Sequence, residues 1–213
     1  MTPAERILSL TIPAFRMRPR MAVEPTDPPG DHTLMIAVRG GDLDCFGELF
    51  ERHHGPLYGY LYRLTGDRTA SEDLAQIVFQ RMLKYRHTYR DDGSFTAWMY
   101  HVARRCAADH FRRSAGAPAN LDSSHIEEIA DDVPDAGDRA EAQDDRALLK
   151  MALDRLDRDD RDVLLLSRIR NLPFAEVALI LECSVGAAKV RAHRALRELR
   201  DVFFDLQRKE SKP

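Results

Sequence analysis

The stretch FAEVALILECSVGAAKVRAHRALREL, residues 174–199, has the pattern of two short helices joined by a tight turn. Its first part is mostly apolar, and Glu182-Cys183-Ser184 separates that part from a second helical segment. The hydroxyl of Ser184 is suited to accept a hydrogen bond from the free N–H groups at the start of that segment. The stretch therefore predicts a helix-turn-helix.

The second helix of this unit has two unlike faces when its residues are placed 100° apart. We expect the apolar face to pack inward; it consists of Ala188, Ala192, Ala195, Leu196, Leu199, Val202 and Phe203. The opposite face carries Lys189, His193, Arg197 and Arg200, with Arg194 beside them. Lys and Arg outnumber Glu five to one from residue 184 to residue 200, whereas a merely solvated face usually mixes both signs. The pattern favours DNA binding by this helix.

The remaining sequence is also helical in pattern and divides into two parts. Residues 31–113 repeat apolar side chains at three and four positions, which predicts an N-terminal helical domain. Residues 146–205 predict a four-helix C-terminal domain that contains the helix-turn-helix. Residues 1–30 hold six prolines without periodicity and predict a flexible arm, and residues 206–213 form a short tail. Because no segment favours a strand, the predicted fold class is all-α with two small helical domains.

An acidic segment joins the two predicted domains. Residues 114–145 contain ten Asp or Glu and a single Arg, with too few apolar side chains to fold alone. The sequence therefore predicts an acidic flexible linker. Since the whole chain carries a net charge of −3, the rest of it is basic, and this suits a polyanionic partner.

Several classes of function lack their usual residues in this sequence. Cys45, Cys106 and Cys183 are far apart and form no CxxC pair, so neither a disulfide framework nor a zinc site is indicated. No HExxH, Gly-rich phosphate loop or GxSxG is present. The apolar runs are shorter than the roughly 18 residues that cross a bilayer. We expect no catalytic residue, metal, cofactor or membrane insertion, and a cytoplasmic location.

Taken together, these segments resemble bacterial sigma factors of the extracytoplasmic-function (ECF) group. SEDLAQIVFQ, residues 71–80, resembles the helix with which that family binds core RNA polymerase. FTAWMYHVARRCAADHFRR, residues 95–113, resembles its helix for reading and melting the minus-ten element. Residues 152–196 resemble the domain that reads the minus-thirty-five element. The resemblance implies sigma region 2 over residues 31–113 and sigma region 4 over residues 146–205.

The resemblance also implies roles for individual residues. Those matching the positions that face the clamp helices of the polymerase β′ subunit are Asp73, Leu74, Gln76 and Phe79. Those matching the minus-ten helix are Trp98, Arg104, Arg105, Arg112 and Arg113, of which the tryptophan is better assigned to the core than to base stacking. Those matching the minus-thirty-five helix are Lys189, Arg191, His193, Arg194 and Arg197. The implied partners are core RNA polymerase through its β′ and β subunits, promoter DNA and an anti-sigma factor.

One residue of the predicted minus-ten helix departs from the family pattern. Arg105 stands where the family usually has Asn, so the base preferred at that point of the minus-ten element does not follow from the resemblance.

Two other functions compete with that of a sigma factor. A helix-turn-helix regulator with no polymerase dependence is one alternative. A sigma-like decoy that binds an anti-sigma factor is the other, although a decoy has no need of a basic recognition face.

Overall fold

A computed structural model describes the backbone of residues 30–114 and 139–210, with side chains for residues 30–114 and 147–209. The N-terminal domain consists of α1 (Asp31–Arg39), α2 (Asp44–Thr65), α3 (Arg68–Lys84), a 3₁₀ turn (Arg86–Thr88) and α4 (Phe95–Ser114). The C-terminal domain consists of α5 (Arg139–Arg155), α6 (Arg158–Leu164), a π-helical turn (Leu165–Ile169), α7 (Phe174–Ile180) and α8 (Val185–Glu210). No strand occurs in these ranges, and the predicted all-α class with two helical domains is confirmed.

The turn between α2 and α3 is set by two neighbouring residues. Gly66 ends α2 with a φ of 72°, a left-handed conformation that glycine adopts without steric cost. Asp67 then starts α3, because its side chain accepts a hydrogen bond from the N–H of Ala70. Pro56 lies inside α2, which nevertheless continues to Thr65. The apolar stripe of α2 therefore stays on one side and faces α3.

The core of the N-terminal domain lies between α2, α3 and α4. Each helix contributes fully buried aliphatic side chains, among them Leu57 and Leu61, Leu74 and Met82, and Met99. Burying one such side chain contributes about 1.5 to 3 kcal/mol. These contacts fix the direction in which the polar sides of α3 and α4 face.

The C-terminal domain has the four helices that the sequence predicts. Asn171 and Glu182 both have φ near 53° and lie in the turns before α7 and α8. The Ser184 hydroxyl accepts a hydrogen bond from the N–H of Ala187 at 3.1 Å, as its position predicts. Ala188 and Ala192 are buried, which brings α8 close to the rest of the domain.

Helix α5 begins at Arg139, upstream of the boundary that the sequence predicts at residue 146. Residues 139–146 read RAEAQDDR, and Ala, Glu, Gln and Arg are good helix formers even where no apolar face is present. The rest of the predicted linker, residues 115–138, lies outside the described residues, as does the arm up to residue 29. The predicted tail begins too early at residue 206, because α8 continues to Glu210 and buries Leu206. Residues 211–213 of that tail lie outside the described residues. In the ranges that are described, no helix has the length and apolarity that a membrane span needs.

The two domains contact each other along α4. This helix packs against α7, while α2 contacts α6 and the π-helical turn that follows it. One continuous cluster of buried apolar side chains runs from the N-terminal helices into α6, α7 and α8. The side of α4 that the sequence assigns to DNA is therefore close to the C-terminal domain.

Candidate nucleic-acid interface

The recognition helix α8 presents most of its predicted DNA-binding side chains to solvent. Lys189, His193 and Arg197 are exposed, and Arg191 is half-buried. At the first turn of α8, no large side chain projects from the exposed surface, because Gly186 and Ala187 carry little or no side chain. A helix with small residues at its start and cations along one side fits a DNA groove.

Arg194 differs from these cations because it has a partner inside its own domain. Its Nη2 atom lies 3.0 Å from one carboxylate oxygen of Asp160 and 3.2 Å from the other. The guanidinium remains largely exposed, whereas the Asp160 side chain is buried. The pair joins α8 to the beginning of α6.

Leu196, which the sequence places on the buried face of α8, is exposed instead. It lines an open groove of about 660 Å³ together with Leu149 of α5 and Phe203 and Phe204 of α8. His193, Arg197 and Arg200 border the same groove. The difference arises because α5 crosses the second half of α8 and buries Leu206 there, leaving the Leu196 side open.

The predicted minus-ten residues on α4 have unlike surroundings. Trp98 is half-buried, packs against the core and makes an edge-on contact with the ring of Tyr89 at 5.3 Å. Arg112 and Arg113 are exposed near the end of the helix, and Arg112 pairs with Asp109 one turn before it. Arg105 is exposed, and Arg104 is partly covered by the C-terminal domain. All five residues are on α4, but the four arginines are at least partly accessible, whereas the Trp98 ring packs against the core.

The predicted core-polymerase residues on α3 divide into a buried and an exposed pair. Leu74 and Phe79 are buried in the N-terminal core, where the Phe79 ring lies 4.8 Å from that of Phe50. Asp73 is exposed and Gln76 is half-exposed on the outer side of α3. The structure therefore leaves only the polar pair accessible to a partner helix.

Carboxylates of the C-terminal domain contact α4, and the sequence analysis missed all of them. The Nε of Arg104 donates to Asp162 at 2.8 Å, and its Nη2 donates to Asp159 at 3.0 Å. Glu182 lies 2.8 Å from Nε2 of His101 and 3.5 Å from Nη2 of Arg105. For Asp159 and Asp162 the signal in the sequence is the acidic run DRDDRD, residues 157–162, which by itself indicates a solvated helix start.

The buried member of this group is Asp162. Its carboxylate accepts a 2.6 Å hydrogen bond from the Tyr60 hydroxyl in addition to the one from Arg104. Burial raises the pKa of Asp162 above the ordinary range of an aspartate, while Tyr60 and Arg104 oppose that rise. His101 lowers the pKa of the exposed Glu182 by a hydrogen bond, and Arg105 adds to that effect. Both carboxylates are thus held by groups on the N-terminal domain.

Within the described ranges, no three His, Cys, Asp or Glu side chains are grouped so as to hold a metal ion. Cys106 and Cys183 are free thiols, and the Sγ of Cys45 contacts the carboxylate of Asp42 at 3.5 Å.

Comparison with known proteins identifies both domains. Residues 49–116 match the family model Sigma-70 region 2, and residues 146–199 match the model Sigma-70, region 4. The chain is 30% identical to the RNA polymerase sigma factor CarQ of Myxococcus xanthus, over 81% of this chain and 97% of that protein. It is 34% identical to the ECF RNA polymerase sigma factor SigF of Caulobacter vibrioides, over 78% of this chain and 89% of that protein.

Solved structures share the fold at lower identity. CnrH in complex with the cytosolic domain of CnrY aligns with a TM-score of 0.63 at 22% identity, covering 82% of this chain and 97% of that one. The sigma factor RpoE in complex with the anti-sigma factor NepR from Bartonella quintana aligns with a TM-score of 0.58, also at 22% identity, covering 74% and 95%.

Proposed function

Because the chain belongs to the ECF family of RNA polymerase sigma factors, we propose that it binds core RNA polymerase, directs it to promoters with two spaced elements and assists DNA melting. Residues 31–113 act as region 2 and residues 146–205 as region 4. The observation that carries this proposal is the exposed basic side of α8, held in a helix-turn-helix by the Ser184 cap.

Region 4 reads the minus-thirty-five element in this proposal. Lys189, His193 and Arg194 approach base edges in the major groove, and Arg191 and Arg197 bind phosphates. Phosphate contacts position the helix on any duplex, while base contacts select the sequence. The buried alanines of α8 support this arrangement because they keep the helix firmly seated with its cations outward.

Region 2 reads and opens the minus-ten element through α4. Arg104, Arg105, Arg112 and Arg113 lie on one helix and supply the positive charge that a DNA strand requires. Trp98 anchors α4 to the N-terminal domain, since its ring packs on Tyr89 and the core. Its contribution to DNA binding is therefore to position the helix.

The contact with core polymerase uses the outer side of α3. Asp73 and Gln76 are three residues apart and accessible, and an acidic and polar face suits a basic partner helix. Leu74 and Phe79 support this face from the core. This chain does not catalyse RNA synthesis. The polymerase carries out that catalysis in the cytoplasm, and this subunit selects the start site.

Single-round transcription of a genomic promoter library tests this proposal. Bacterial core RNA polymerase is assayed with and without the protein, and the new transcripts are sequenced. We expect discrete transcripts whose promoters share two upstream elements at fixed spacing. Binding of duplex DNA by the protein alone, together with no transcripts from active core polymerase, would instead identify a simple helix-turn-helix regulator.

A further inference from the structure

We propose that Val190 reads a thymine of the minus-thirty-five element by placing its side chain against the C5 methyl group of that base in the major groove. This inference rests on the proposed function, in which α8 enters the major groove at that element. It adds an apolar contact to a recognition helix whose other assigned residues have polar side chains. It also requires a thymine at the point of the element that Val190 faces.

The first observation that carries the inference is the exposure of Val190. Its side chain is 70% exposed, more than any other large apolar side chain in the described residues. It belongs to neither cluster of buried apolar side chains. A β-branched residue is also a poorer helix former than alanine. Neither the core nor the helix itself therefore explains why a valine is found here.

The second observation is the position of Val190 around α8. At 3.6 residues per turn, it lies opposite the buried alanines that seat the helix in its domain. His193 lies about 60° to one side of it and Arg194 about 40° to the other, while Lys189 is farther round on the His193 side. Val190 is therefore at the centre of the exposed face, between the residues that we assign to base edges.

The third observation is that the neighbouring side chains leave Val190 open. Gly186 and Ala187, one turn before it, are exposed and short. One turn after it, the Asp160 carboxylate holds Nη2 of Arg194 at 3.0 Å and draws that guanidinium towards α6. Val190 is in the second turn of α8, and a recognition helix contacts base edges with its N-terminal residues.

The chemistry of the major groove determines which base suits an exposed valine. The base edges present hydrogen-bond donors, hydrogen-bond acceptors and, on thymine alone, the C5 methyl group. A valine beside a donor or acceptor removes water from it and gives no hydrogen bond in return. Beside thymine it buries apolar surface on both molecules. A single exposed apolar residue needs no ligand elsewhere on a surface, but one at the centre of a recognition face meets a base edge.

The test removes only the methyl group from the DNA. Duplexes carry the promoter recovered from the transcription assay, and each thymine of the minus-thirty-five element, on either strand, is replaced in turn by deoxyuridine, which lacks the C5 methyl group. The control duplex has deoxyuridine at a thymine between the two promoter elements. Affinity for holoenzyme assembled from core RNA polymerase and the full chain is measured by fluorescence anisotropy at one salt concentration.

Two protein variants complete the test. Val190→Ala removes two exposed methyl groups, and it should keep the wild-type unfolding curve because the site is exposed and alanine is the better helix former. Leu179→Ala is the matched control, since it shortens another largely exposed aliphatic side chain, on α7 rather than on the recognition helix.

We expect one deoxyuridine in the element to weaken wild-type binding about two- to fourfold, because the burial of one methyl group is lost. The control duplex should bind as the unmodified promoter does. Val190→Ala should bind the unmodified promoter more weakly and lose most of the difference between thymine and deoxyuridine, whereas Leu179→Ala should retain that difference.

Equal wild-type affinities for thymine and deoxyuridine at every position of the element would overturn the inference, and so would a difference that persists in full in Val190→Ala. A minus-thirty-five element without an A·T pair would overturn it as well. In each of these cases polymerase-dependent transcription still supports the sigma function. If the wild type gives no polymerase-dependent transcripts, the proposed function fails, and this inference fails with it.

Discussion

Nη2 of Arg194 on α8 lies 3.0 Å and 3.2 Å from the two carboxylate oxygens of Asp160 on α6. The Asp160 side chain is only 6% exposed, whereas that of Arg194 is 70% exposed. A buried carboxylate that holds one nitrogen of an exposed guanidinium restricts the directions in which the rest of the group points. The recognition helix thus has one arginine that is fixed from inside the domain.

The Asp160→Asn variant tests this restriction. We expect it to reduce discrimination at the minus-thirty-five base that Arg194 reads, up to the value for Arg194→Ala, because a lost base contact costs about 1 to 3 kcal/mol. The measurement is transcription from promoters randomised at that element. The control is Asp201→Asn, which breaks an exposed pair with Arg200 on the same helix and should leave discrimination unchanged. Equal weakening at every sequence, with a lower melting temperature, would mean that the pair only stabilises the domain.

Arg197→Ala separates phosphate binding from base reading. Arg197 is exposed on the basic side of α8, and we assign it to phosphate. We expect the variant to bind all duplexes more weakly by a similar factor and to lower the slope of log affinity against log salt by about one. A salt titration of duplex binding measures both effects. A change in sequence preference with an unchanged slope would contradict the phosphate assignment.

Arg105→Asn restores the residue that the family usually has on α4. Arg105 is 69% exposed, and within the described residues its side chain forms an ion pair with Glu182, so its replacement should cost little stability. We expect a shift in base preference at one minus-ten position, since arginine favours guanine and asparagine favours adenine. Transcription across a promoter library measures the shift. Arg112→Asn serves as the control and should weaken all promoters alike; an unchanged preference in Arg105→Asn would rule out base reading at this position.

The sequence predicted those features that depend on local patterns. The Ser184 cap and the buried alanines of α8 follow from residue type and helical spacing, and the structure confirms both of them. The roles of Asp160 and Asp162 could not be predicted in this way. Their partners are 34 and 58 residues away in sequence, so an acidic run on a helix start gives no sign of burial.

Contacts between residues far apart in sequence also explain why Leu74 and Phe79 of α3 are buried and why Leu196 of α8 is exposed. The resemblance assigned Leu74 and Phe79 to a partner surface, because a motif gives position along a helix but not depth within a domain. Leu196 continues the apolar face of α8, and only the crossing of α5 decides which part of that face is covered. Packing between segments that are distant in sequence therefore determines which residues of a helix face are buried and which are exposed.

Phe79 and Asp73 lie less than two turns apart on α3 and should affect polymerase binding for different reasons. Phe79→Ala removes a ring buried against Phe50, and we expect it to lower the free energy of unfolding by about 3 to 5 kcal/mol. Asp73→Ala changes an exposed side chain and should alter that free energy by no more than about 0.5 kcal/mol. Urea unfolding followed by circular dichroism measures both.

Binding to core polymerase then shows whether the outer face of α3 is the contact. We expect Asp73→Ala to weaken binding several-fold while its unfolding curve stays that of the wild type, because a carboxylate facing a basic helix is lost. Glu51→Ala, an exposed acid on α2, is the matched control and should bind as the wild type does. Phe79→Ala should lose binding only to the extent that it unfolds, and a loss at temperatures where it remains folded would show that the buried ring also supports the partner surface. Wild-type affinity in Asp73→Ala would exclude this face of α3 as the polymerase contact.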